Sequence, residues 1–235
     1  MKNRLLVIVS FFIATCITYT AAAWDITGGE VWENRTGPGV ALAIGGNTCT
    51  DEFCDSTLDA KFVPSIAVTP EFYYRLMPNL VVYGDVHIGY LNTNYNGGQG
   101  IKDDKGLIFQ VTAGGAFHAP ITGWLDAYVG LGLGYALLRF KGHNTVTGWD
   151  EVLSLRGVNT ELKIGADVYP ISSAPTFGAG LLFRLGFTAW PRACHKQDDD
   201  DFYCQKPKDA DIEGFEDLED TPFLIFLGLQ ARYGF

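Results

Sequence analysis

The sequence predicts an all-β chain whose eight antiparallel strands close into an up-and-down barrel that crosses a membrane. Three observations carry that prediction. Apolar residues recur with a period of two in segment after segment, which is the pattern of a strand with two unlike faces. The connections between these segments alternate between short turns and long polar loops. The face opposite the apolar one is made of small residues and nearly balanced charges.

The elements follow in order at 39–46, 58–76, 80–93, 107–118, 124–140, 155–171, 176–190 and 222–235. Three of them alternate clearly. Leu125, Ala127, Val129, Leu131, Leu133, Tyr135 and Leu137 share a face against Asp126, Tyr128, Gly130, Gly132, Gly134 and Ala136. Phe177, Ala179, Leu181, Phe183, Leu185 and Phe187 oppose Gly178, Gly180, Leu182, Arg184, Gly186 and Thr188. Phe223, Ile225, Leu227, Leu229, Ala231, Tyr233 and Phe235 oppose Gly228, Gln230, Arg232 and Gly234, with Phe226 among the latter. A tilted strand needs about 9–11 residues to cross the hydrocarbon, and all but 39–46 reach that length. Met77–Asn79, Ala119–Gly123 and Ser172–Pro175 are short and carry turn formers, whereas 47–57, 94–106, 141–154 and 191–221 are long and polar. An even strand number puts both ends of the chain on the short-turn side.

A water-soluble, lipocalin-like carrier would also alternate, with its apolar face turned inward around a ligand. The polar face argues for the opposite arrangement, because a surface in water is usually crowded with Lys and Glu. Here it carries Gly, Ala and Thr, with Glu71, Asp85, Asp126, Glu161 and Asp167 set against Arg75, Lys163, Arg184 and Arg232. His87, Gln110 and Tyr73 fall on the same face. Such a set suits the confined lumen of an eight-stranded barrel, where each buried ion needs a partner. Phe72, Tyr74, Phe117, Phe177, Tyr233 and Phe235 gather near the short-turn ends of the apolar face, as an interfacial girdle would.

The amino terminus reads as an export signal. Lys2 and Arg4 precede the mostly apolar stretch from Leu5 to Tyr19, and Ala21–Ala23 offers the small residues of a cleavage site before Trp24. The expected organisation is a signal peptide at 1–23 and a barrel domain at 24–235. Beyond the signal no run of 18 apolar residues is left for a membrane helix. The charge of −10 over 235 residues becomes −12 without Lys2 and Arg4, so no basic stripe exists to attract nucleic acid. The mature chain keeps Cys49, Cys54, Cys194 and Cys204, an even number in an exported protein, which points to two disulfides. Four cysteines allow three pairings; the local pairs Cys49–Cys54 and Cys194–Cys204 close short loops. Neither pair has the close spacing of a zinc site.

The last strand, alternating back from Phe235 through Tyr233 to Phe223, resembles the carboxy-terminal signature of Gram-negative outer-membrane proteins. Together with the signal and the eight strands, it makes the whole mature chain similar to the small barrels of the OmpA and OmpX type. That resemblance implies an outer-membrane location, contact with outer-membrane lipid, and recognition of Tyr233 and Phe235 by the barrel-assembly machinery.

The expected role is non-catalytic: structure or surface interaction with an extracellular partner through the long loops. A narrow channel is the first alternative, disfavoured because eight strands leave an interior filled by side chains. A lipid A-modifying enzyme is the second. None of His87, His118, His143 and His195 stands in the His-x-Ser spacing of such a deacylase. Loop 191–221 holds 11 acidic residues. Within it Asp209, Asp211, Glu213 and Asp220 resemble a calcium loop, but with Glu at the fifth position, Glu216 at the eighth and Asp at the twelfth. Calcium is the one cofactor the sequence suggests; a solvated acidic loop is the plainer reading.

Overall fold

A computed structural model describes residues 35–50, 65–92, 101–122, 124–144, 148, 150–170, 176–197, 203–205 and 223–234. The expected signal peptide, Cys54, the candidate calcium residues Asp209, Asp211, Glu213 and Asp220, and Phe235 lie outside them, as do the side chains of Cys49, His143 and His195.

Among the described residues nine strands form one antiparallel sheet: β1 (Gly37–Thr50), β2 (Ser65–Met77), β3 (Leu80–Asn92), β4 (Ile101–Thr122), β5 (Leu125–Asn144), β6 (Asp150–Val168), β7 (Phe177–Gln197), β8 (Tyr203–Gln205) and β9 (Phe223–Gly234). Eight of them close into a barrel, each pairing with its neighbour in sequence and β9 pairing with both β7 and β1. The ninth, β8, is a three-residue strap on the far end of β7. Closure satisfies the backbone groups that an open sheet edge would expose to lipid.

The register sets the shape. Following cross-strand partners from Val40 through Phe72, Gly84, Ala113, Leu133, Thr160, Phe187 and Phe223 returns to β1 at Thr50, a stagger of ten residues. With a strand rise of ~3.3 Å and a spacing of ~4.8 Å, that stagger tilts the strands by about 40°. Each residue then climbs ~2.5 Å, so about ten residues cross a ~25 Å apolar band.

The outer wall is apolar. Leu42, Ile44, Ile66, Phe72, Leu131, Leu133, Leu181, Leu227 and Leu229 all point away from the lumen and are exposed, Leu133 by 64% and Leu229 by 70%. Phe72, Tyr74, Phe177, Tyr233 and Trp124 ring its short-turn end. A continuous apolar wall of this kind is stable only against lipid, so the fold is a transmembrane β-barrel. That end is tight: Pro78 and Asn79 join β2 to β3. His118 N donates to Asn79 O at 2.9 Å, and Tyr169 N donates to Trp124 O at 2.7 Å.

The sheet is taller than alternation alone indicates. β4, β5, β6 and β7 have 22, 20, 19 and 21 residues, against 12 to 14 in β1, β2, β3 and β9. Residues 101–106, 141–144, 150–154 and 191–197, expected as loop, continue the ladder. Backbone pairing persists there although the simple apolar-out pattern ends. One wall of the barrel therefore stands well beyond the membrane on the long-loop side. The Cys194–Cys204 disulfide pins β8 to that wall.

Candidate functional site

Alternation turns one face of every strand inward, and that face is where the ionisable side chains meet. Five carboxylates (Glu71, Asp85, Asp126, Glu161, Asp167) and four cations (Arg75, Lys163, Arg184, Arg232) are buried in the lumen. No membrane-spanning surface could carry these charges, and a lumen can hold them only in pairs.

The central layer is built around Lys163 on β6 and Arg184 on β7, which face each other across the strand pair. Lys163 Nζ donates to Glu71 Oε2 and to Asp85 Oδ2, both at 2.6 Å, and lies 3.7 Å from the centre of the Tyr83 ring. Arg184 donates through Nε to Glu161 Oε2 at 3.0 Å and through Nη2 to Asp85 Oδ1 at 3.1 Å, with a further close contact from Nη2 to Glu161 Oε2. Two like charges placed opposite each other are thus bridged by two carboxylates. A polar relay extends upward: Arg184 Nη1 donates to Thr69 Oγ1 at 3.2 Å, and that hydroxyl is hydrogen-bonded to His87 Nδ1 at 2.8 Å. The His87 ring meets Phe226 edge-on at 5.2 Å. Gln110, Thr112 and Asn159 are buried above this layer. Thr188 donates to Asn159 Oδ1 at 3.1 Å, while Gln110 Nε2, Thr112 Oγ1 and Asn159 Nδ2 have no protein partner among the described residues.

The lower layer closes the short-turn end. Arg232 on β9 pairs with Asp167 at 3.3 Å and Glu71 at 3.4 Å, and its guanidinium lies over the rings of Tyr73 and Tyr128 at 4.9 and 4.7 Å. Glu71, shared by Lys163 and Arg232, joins the two layers into one network. Asp126 accepts from Arg75 Nη2 at 3.2 Å and from His118 Nδ1 at 2.8 Å; His118 Nε2 accepts from Arg232 Nη1 at 3.3 Å. These partners assign the proton of His118 to Nδ1. Tyr128 donates to Gln230 Oε1 at 3.0 Å, and Gln230 Nε2 donates to Asp167 Oδ1 at 3.2 Å. Glycine makes room for these tyrosines: a Cβ at Gly39 would collide with the Tyr73 ring, and one at Gly165 with the Tyr128 ring.

Among the candidate residues, then, the structure brings Glu71, Asp85, Glu161, Lys163, Asp167, Arg184 and Arg232 into one ion-paired network, to which Arg75 is joined through Asp126 and the hydrogen bonds of His118. It adds His87 by relay and leaves Gln110 at the network's upper edge. Sequence pattern alone places His118 beside a turn and outside the lumen set; the structure buries it against Asp126. The available signal is its register beside Tyr128, whose face Asp126 shares. Tyr83, Tyr128 and Gln230 are legible in the sequence only as small parts of an alternating face. Among the described residues no group of three or more His, Cys, Asp or Glu side chains is arranged to hold a metal ion.

The chain matches no protein-family model and no curated relative. Among solved structures it is similar to Neisserial surface protein A, at 10% identity over 85% of this chain and 97% of that one, with a TM-score of 0.51. It is also similar to a major outer membrane protein from Thermus thermophilus, at 14% identity over 84% of this chain and 99% of that one, with a TM-score of 0.57. The shared feature is the fold, that of the small outer-membrane β-barrels.

Proposed function

We propose that the chain is a non-catalytic outer-membrane protein that works through its tall, long-loop end, as a structural or surface-interaction element, and not through its lumen. The observation that carries this reading is the asymmetry of the barrel. Its base is filled with paired charges, while β4–β7 run about twice the length that a membrane requires. Those extra turns of ladder, strapped by β8 and a disulfide, form a rigid wall suited to meeting a partner in the medium.

Two features of the lumen support the same reading. Lys163, Glu161, Asp85 and Arg184 meet across the lumen and are each no more than 3% exposed, which supports a plugged interior over an open channel. The His118–Asp126 pair has the form of a catalytic dyad, but the second nitrogen of His118 faces the Arg232 guanidinium in place of a hydroxyl or thiol nucleophile. Biogenesis in this reading uses Tyr233 and Phe235 as the assembly signal. Calcium held by Asp209, Asp211, Glu213 and Asp220 is a subsidiary proposal, and absence of heat on titration with millimolar calcium would end it.

An epitope inserted at Gly148, in the connection between β5 and β6, tests the placement. Antibody labelling of intact cells is expected. Labelling only after permeabilisation would contradict it. Planar bilayers containing the purified protein are expected to show no discrete conductance steps, and lipid A masses are expected to be unchanged on expression.

A further inference from the structure

The outer wall changes character at one height. Outward-facing apolar positions run along β5 from Leu125 to Leu137, along β6 from Val168 to Val158, and along β7 from Phe177 to Ala189. Each run covers about 25–30 Å at the observed tilt. The next outward position on each strand is an arginine: Arg139, Arg156 and Arg192, all exposed. Lys141 and Lys196, each with a partner of its own, flank them. Every described carboxylate side chain lies in the lumen, so the described side chains of this band that carry charge are cationic, on a chain whose formal charge is −10.

Two details set the band apart from a chance cluster. Arg192 has the parity of the inward residues Arg184, Gly186 and Thr188. It reaches the outside because the register slips between Arg156 and Val158: Val158 pairs with Ala189 but Arg156 pairs with Arg192, leaving one extra residue on β7. Pro191, which has no N–H to give a ladder, sits in that bulge, and bulges re-aim side chains in this way. The slip brings Arg192 directly opposite Arg156, a like-charge pair that is unfavourable on its own. In the lumen the comparable pair Lys163 and Arg184 is bridged by carboxylates. On the wall no described acidic group bridges Arg156 and Arg192.

We infer that Arg139, Arg156 and Arg192 form a binding site for the phosphates of an outer-leaflet glycolipid. The position selects a lipid over a soluble anion: the arginines continue the rows of Leu137, Val158 and Ala189, so acyl chains packed on those rows bring their headgroup phosphates to the guanidinium level. Guanidinium forks match phosphate oxygens in two-point contacts, and their apolar stems lie along the wall below. This inference rests on the outer-membrane orientation proposed above.

The test uses the full mature chain in phosphatidylcholine vesicles, alone or doped with phosphorylated lipid A, with dephosphorylated lipid A, or exposed to soluble tripolyphosphate. The variant is R139Q/R156Q/R192Q. Its substitutions are exposed and leave the lumen intact, and its fold is checked by the mobility shift between boiled and unboiled samples. The wild type is expected to bind phosphorylated lipid A at least about tenfold more tightly than the variant, with no difference for dephosphorylated lipid A. Equal affinities for phosphorylated lipid A would overturn the site. Binding of tripolyphosphate at the arginines without discrimination between the two lipids would assign it to a soluble polyanion instead. A wild type that shows no mobility shift and does not enter vesicles would overturn the membrane reading itself, and the site with it.

Discussion

Within single strands, the lower and upper parts of this barrel are inside out relative to each other. On β5 the inward positions near the base are Asp126, Tyr128, Gly130 and Gly132 and the outward ones Leu131, Leu133 and Tyr135. Higher up, Leu138 and Phe140 point in and Arg139 and Lys141 point out. On β6, Lys163 and Glu161 are inward where Ile164 is outward; above them Leu155 and Leu153 are buried and Arg156 is exposed. The backbone, the period and the closure are the same throughout. What changes is the solvent. Lipid around the base leaves the lumen as the place for charge, and water around the upper wall restores the ordinary order of apolar inside and polar outside. The inversion is therefore a ruler for where the bilayer ends.

Perturbing the lower half from within should cost most. Lys163→Met leaves Glu71 and Asp85 buried without their shared cation. We expect a loss of about 3–5 kcal/mol in urea unfolding from vesicles, or failure to fold. In the upper half the same logic applies to an apolar core: Leu138→Ala, at a fully buried position, is expected to cost about 2–5 kcal/mol, measured in the same way. Charging the lipid face comes next. Leu133→Arg, near the middle of the apolar run, is expected to lose about 2–4 kcal/mol. The smallest effect sharpens the boundary: Arg139→Leu, only six residues along the same face, is expected to stay within about 0.5 kcal/mol in stability. A large loss there would place the bilayer edge elsewhere.

The base is more legible in the sequence than the wall. A membrane forces strict alternation, so Leu125–Leu137, Phe177–Phe187 and Phe223–Tyr233 announce both the strands and their faces. Above the bilayer the two faces exchange chemistry, and an apolar-out template stops matching at Arg139 and Arg156 although the ladder continues to Asn144 and Asp150. The bulge at β7 then reverses the parity of Arg192, and three paired residues of β8 are too short to leave any period. In the lumen, alternation assigns Glu71, Asp85, Lys163 and Arg184 to one face, but which acid meets which base depends on the ten-residue stagger. That stagger is a property of eight registers taken together, and no single strand carries it. His118 illustrates the point: its partner Asp126 lies across a turn, and its second contact, Arg232, comes from the far end of the chain.

The most direct measurement of the inversion is an accessibility scan with single spin labels at outward positions 129, 131, 133, 135, 137, 139 and 141 of β5 in vesicles. Relaxation by dissolved oxygen reports lipid, and relaxation by a water-soluble nickel complex reports solvent. The predicted result is oxygen dominance from 129 to 137 and a switch to nickel dominance at 139 and 141. Uniform oxygen dominance through 141, or nickel dominance at 131 and 133, would contradict the placement of the barrel in the membrane.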